Sequence, residues 1–209
     1  DCHKRHRVDQ EPQGIARYWL DWLAKHPGHQ VELVTGTPEW RQYDPNVDIK
    51  LAYPASSNLT VTALNGLVAS ATWVAGWESD AIVNTTNLYL DYRITAKITV
   101  ESAGLAAGEI RMYLVGMLDD STWPDVFDGT ESAETVTDTE IRDAICKIAA
   151  VTTTDTTASR VYFLDCPSVA AVFGGNMPAQ FVIFITQSTG TTLETTGNQV
   201  TVKGVYATG

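Results

Sequence analysis

A chain of 209 residues is long enough to bury one substantial core, with or without an appendage. Its 44% hydrophobic and 19% charged content is that of an ordinary globular protein. A net charge of -11 argues against a nucleic-acid binder, whose affinity comes from neutralising phosphates, and against docking on an anionic membrane surface.

The charge is unevenly placed. Residues 1–50 hold 7 Lys/Arg against 8 Asp/Glu, whereas residues 51–209 hold 7 against 17, and all four histidines fall in the first 29 residues. This break predicts an N-terminal segment, 1–50, followed by a folded domain, 51–209. The longest clear apolar run, Phe181–Ile185, falls far short of the roughly 18 residues that read as a membrane span. Cys2, Cys146 and Cys166 are an odd number without paired spacing, which predicts reduced thiols made in a cytoplasm. No signal peptide is visible, and the start at Asp1 leaves room for an upstream piece.

Taken in order, residues 1–11 are polar and basic and read as an arm. From Pro12 a short helix is expected, because Pro suits the first helical position and Ile15, Trp19, Trp22 and Leu23 form one apolar stripe. It should stop before Pro27-Gly28. A short extended piece at Val31–Val34 and a Pro-punctuated loop containing Trp40 follow. Such a helix is marginal alone and needs a surface to bury against.

Beyond Asn58 the texture turns to Thr, Val, Ala and Gly, and strands are expected near 58–64, 70–75, 88–101, 109–118, 159–165, 180–187 and 198–206. The clearest is Leu88–Glu101, whose even positions are apolar and whose odd positions are mostly polar, the period of a half-buried strand. Glu109–Leu118 is expected as its antiparallel neighbour across the Gly104–Gly108 loop, with its far end buried on both faces. Phe181–Thr186 lacks alternation and reads as covered on both sides. Thr137 and Glu140 form a capping-box pattern ahead of a stripe at Ile141, Ile145 and Ile148, predicting a helix that ends by 149–151. A single-turn helix is expected from Pro167 to Gly174-Gly175. The Thr-rich segments 151–157 and 186–196 read as turns. Many strands with one mid-chain helix predict a mainly β fold, a two-sheet antiparallel β-sandwich of jelly-roll type carrying an N-terminal arm and short helix.

The phrases ATWVAGWESDAIVNTTNLYLDYRITAKITV, WPDVFDGTESAETVT, SVAAVFGGNMP and FVIFIT occur together, in this order, within residues 60–209. In combination they resemble a family of virion structural proteins of tailed bacteriophages. The resemblance implies an accessory capsid role, decorating or cementing the shell, with the major capsid protein or another virion protein as partner. It also implies a homo-oligomer localised to the virion and assembled in the host bacterial cytoplasm. None of its motifs is catalytic, and it leaves residues 1–50 outside.

Four groups of residues are candidate sites. Cys2, His3, His6, His26 and His29 could supply a zinc set, but their spacing matches no zinc module and an exposed basic arm is the simpler reading. Asp125, Asp128 and Glu131 belong to an acidic run that could wrap calcium or supply a glycosidase pair; it lacks the EF-hand order, and a solvated acidic loop is favoured. Trp73, Trp77 and Trp123 stand beside turns, where a ring could stack on a sugar, the basis of an alternative as a carbohydrate-binding or host-attachment module of a tail or fibre. Packing is the stronger reading for all three. Cys146 and Cys166 are expected buried and inert. The chain is therefore expected to be non-enzymatic and without cofactor. Ile15, Trp19, Trp22, Leu23 and Trp40 are expected to bind the partner.

Overall fold

The computed structural model describes residues 50–119 and 121–208. The expected arm, the helix with Ile15, Trp19, Trp22 and Leu23, Trp40 and the histidine-rich candidate zinc set all lie outside the described residues. Among the described residues eleven strands form two antiparallel sheets. Sheet one holds β1 (Lys50–Ala52), β11 (Gln199–Thr208), β5 (Asp91–Thr99) and β9 (Val161–Cys166) in that spatial order, with β2 (Ser57–Asn58) also on β11. Sheet two holds β7 (Ser132–Thr135), β3 (Ala75–Glu78), β10 (Gln180–Gln187), β6 (Gly108–Gly116) and β8 (Lys147–Thr154), with β4 (Ile82–Val83) also on β10. Among the described residues there are two short helices, α1 (Thr139–Ile145) and α2 (Val169–Val172).

The topology is that of a jelly roll. Since β1 and β2 both pair with β11, they act as one interrupted first strand; β3 and β4, both on β10, act as the second. With β7 set aside as an insertion, the strands run first, eighth, third, sixth in sheet one and second, seventh, fourth, fifth in sheet two. Every successive connection crosses between the sheets except β6 to β8, the hairpin about which the roll is folded. The connections β4–β5, β6–β8 and β9–β10 therefore share one end of the sandwich, as does Lys50, where the chain enters.

Alternation places the inner faces. In β5, Tyr92, Ile94, Ala96 and Ile98 are buried, and Arg93, Thr95 and Lys97 are exposed. They meet Ile110, Met112 and Leu114 of β6 and Phe181, Ile183 and Ile185 of β10 in one core between the sheets. Thus β5 and β6 lie in opposite sheets, facing each other, and are not hydrogen-bonded neighbours as expected. The Gly104–Gly108 loop crosses the sandwich. A Cβ on Gly108 would stand 2.3 Å from the Ser188 carbonyl oxygen, so this crossing tolerates no side chain.

Sheet two is buried on its outer face as well. Residues 117–146 fold over it, and Phe127, Val136 and Cys146 pack on Tyr113, Val115, Val182 and Phe184 in a second core. This cover explains why β6 and β10 lack alternation, as expected for both; Phe181 through Gln187 are all buried.

Several boundaries differ from expectation. The long strand is β5 alone: Leu88 is 72% exposed at φ +50, and Leu90 is 55% exposed, because Asn84 folds residues 84–89 into a turn. Its side chain accepts from Tyr89 N–H (2.9 Å) and donates to the Tyr89 carbonyl (2.9 Å). Helix α1 is capped by Asp138, which accepts from Ile141 N–H, and not by Thr137, whose backbone and hydroxyl both donate to Asp125 (2.9 and 2.6 Å). Its buried residue is Arg142, while Ile141 and Ile148 remain exposed. The helix stops at Ile145, and Lys147–Thr154, expected as helix end and turn, is an edge strand with an irregular register opposite Met112/Tyr113. The expected 58–64 strand shrinks to β2 because residues 61–66 turn, the 70–75 strand is displaced to β3, and β7 is an addition to the expected set. The α2 turn falls where expected, ended by Gly174 and Gly175 at φ +77 and +101.

Replacing Gly108 by Ala is expected to destabilise the sandwich by about 1–3 kcal/mol through this clash, as measured by urea denaturation.

Candidate functional site

The three described tryptophans do different structural work. Trp77 is fully buried in the core between the sheets, and its Nε1–H donates to Glu131 Oε1 at 2.7 Å. Its ring offers no face to a sugar. Trp73 sits at φ +54 with the Arg111 guanidinium 3.8 Å from its ring centroid, and its Nε1 is buried without a partner. Trp123 is half-buried against the second core, with the backbone turn at Gly129 close to its ring. The geometry brings no pair of these rings into a stack.

The acidic run does not converge either. Asp119 accepts from Ser121 N–H and Thr122 N–H at 2.7 Å each, and these bonds hold its carboxyl below the usual range. Asp125 ties down Thr137, Asp128 accepts from Thr130 N–H (2.8 Å), and Glu131 accepts from Trp77 and from Ala63 N–H (2.8 Å). Each carboxylate thus stabilises its own stretch of cover. Among the described residues no group of three His, Cys, Asp or Glu, Asp125, Asp128 and Glu131 included, is placed to hold a metal ion.

Both described cysteines are buried and unbridged. Burial raises the Cys146 thiol to about 12 and raises Cys166 as well, so neither offers a thiolate at neutral pH.

Sequence reasoning missed the most perturbed carboxyl. Glu78, between Trp77 and Ser79 in β3, is fully buried beneath the cover. Its Oε1 accepts from Gly129 N–H (2.7 Å) and Asp128 N–H (3.2 Å), while Oε2 has no partner. Burial raises it to about 7, against the pull of those two N–H groups, and Asp128 and Glu134 push it the same way. The one sequence signal was the strand alternation that sets Glu78 opposite to Trp77 across sheet two.

What remains open is the surface. Exposed large apolar side chains gather at the end where the chain enters: Leu51, Tyr53, Val83, Leu88, Leu90 and Leu118. Beside them a shallow groove of about 560 Å³, lined by Leu51, Tyr53, Arg93, Pro167 and Lys203, opens on the outer face of sheet one. Among the described residues no helix is long and apolar enough to cross a membrane.

The fold and these surfaces define a jelly-roll β-sandwich with an added cover on one sheet. No protein-family model, no curated protein and no solved structure matches the chain.

Two outcomes test this assignment of roles. Trp77→Ala is expected to cost about 3–5 kcal/mol in chemical denaturation, since it empties a core site and strips Glu131 of a donor. For Glu78 the folded value lies above the unfolded 4.5, so the folded state holds the proton longer and stability falls as pH rises from about 4.5 to about 7. The slope is at most about 1.4 kcal/mol per pH unit, and Glu78→Gln should remove this contribution in a pH series of thermal melts.

Proposed function

We propose that this chain is a non-enzymatic virion structural protein, an accessory decoration or cement protein bound to the shell of a tailed bacteriophage. Its partner is then the major capsid protein or another virion protein, its location the virion after assembly in the host cytoplasm. The observation that carries this reading is the apolar end of the jelly roll. Leu51, Tyr53, Leu88 and Leu90 stay exposed there, and Leu88 holds a left-handed backbone that a leucine adopts only at a cost. Exposed apolar side chains grouped on one region of a surface are what a protein–protein contact requires. Double-sheet jelly rolls serve both capsids and lectins, so the fold by itself does not choose. The phrase-by-phrase likeness to virion proteins supports the first of these uses. The enclosed Trp77 and the Arg111-stacked Trp73 weaken the second.

The contact is assigned to the N-terminal segment, 1–50, with Ile15, Trp19, Trp22, Leu23 and Trp40 as its apolar anchors on a neighbouring subunit or the shell. Replacing Trp19 and Trp22 together by Ala should leave the melting midpoint of the full chain unchanged. It should weaken particle binding by at least about 2 kcal/mol, as aromatic anchors usually do. The localisation experiment is a reconstruction of an intact particle. Copies at regular shell positions are the expected result, and copies confined to the tail tip would overturn the reading in favour of host attachment.

A further inference from the structure

The charges of the sandwich are segregated by face. Residues 117–146, which cover the outer face of sheet two, carry nine carboxylates against one cation, Arg142. Arg142 is itself buried, held by the Thr72 carbonyl and by Asp143. On the opposite side of the sandwich the strands of sheet one carry Lys50, Arg93, Lys97 and Lys203 against only Asp91 and Asp165. Those two carboxylates are already engaged. Asp91 accepts from Tyr92 N–H (2.7 Å) and Ala170 N–H (2.8 Å), and Asp165 takes both arms of Arg93 at 3.0 Å. Neither Lys97 nor Lys203 pairs with a carboxylate among the described residues.

The face that bears these lysines is also partly apolar. Phe163, opposite Lys97 in the register of β5 and β9, is 69% exposed, and Lys203 stands 5.6 Å from the Tyr53 ring. The acidic cover offers the complementary mixture: Glu140 on α1 is exposed beside Ile141, which is 37% exposed. Copies meeting by their covers would press carboxylates against carboxylates. Copies meeting head to tail bring cations to carboxylates and cover apolar side chains on both sides.

We propose that the outer face of sheet one binds the acidic cover of a second copy of this chain, head to tail. Such a heterologous contact uses different patches on the two copies and closes into a ring when its rotation permits. It does not depend on the virion reading, because it concerns purified chain with no particle present.

The test is sedimentation velocity of the full chain, with two charge-reversal variants whose melting midpoints are checked first. Wild type should associate in about 0.1 M salt and dissociate in about 1 M, where the screening length falls to about 3 Å. Lys97→Glu/Lys203→Glu should weaken association by at least about tenfold alone, Glu140→Lys should weaken it as well, and their equimolar mixture should restore it. Lys97→Gln/Lys203→Gln, which removes charge without reversing it, should weaken association less. A wild type that is monomeric in low salt, association indifferent to salt, or a mixture that stays apart would each overturn the proposal. So would a monomeric chain whose Lys97 and Lys203 are needed only for binding a particle, since the occupant would then be the shell.

Discussion

Sheet two is apolar on both faces, and most of the architecture follows from that constraint. Phe181, Ile183 and Ile185 of β10 point into the sandwich; Val182 and Phe184 point out of it. A strand with large apolar side chains on both sides needs two covers, and an eight-stranded roll supplies one. The second is the long connection between β6 and β8, which lays Phe127, Val136 and Cys146 on the outer face and adds β7 at the edge. At the packing density of a protein interior, each such aromatic contact depends on its neighbours' positions, so cover and sheet are one unit energetically.

Buried polar groups then fix the loops to the sheets. The Gln187 amide, fully buried at the end of β10, uses its whole capacity. It donates to the Leu67 and Thr191 carbonyls (3.0 and 2.7 Å) and accepts from the Thr189 N–H and hydroxyl (2.7 Å each). It thereby clamps the loops at the far end of the roll. Glu131, bonded to Trp77 and to the Ala63 N–H, joins the cover to the inner core. Glu78 fastens the turn at Asp128 and Gly129 but leaves one oxygen unpaired. A satisfied buried amide is stabilising, whereas a half-satisfied carboxyl makes its part of the cover sensitive to protonation.

With the interior so fully engaged, the chemistry left over is at the surface. Acidic groups crowd the cover, lysines occupy sheet one, and exposed leucines gather where the chain enters the roll. Shape and charge of this kind are the ordinary means by which one protein recognises another, and they underlie the contacts proposed above. The candidate carboxylates are bound up in turns, and the two described thiols are held protonated by burial.

Periodicity determined the class of fold and which side chains of β5 are buried, because alternation is a local property that pairing does not alter, and the unbroken apolar run of β10 marked a strand covered on both sides. It also located α2, whose stop at Gly174-Gly175 needs a left-handed backbone that glycine adopts freely. Only the tertiary structure decided which sheet each strand joined, since an apolar face facing a core looks the same from either side. Hence β5 and β6 read as neighbours and are partners across the core instead. It decided that Asp125 takes Thr137 away from the helix cap, that β8 continues where a helix was expected, and that Asp125, Asp128 and Glu131 face different donors. It decided, too, that Trp77 is enclosed and Glu78 buried. Those outcomes depend on which distant groups meet, and the distances that join Trp77 to Glu131 or Gln187 to Leu67 are set by the whole roll.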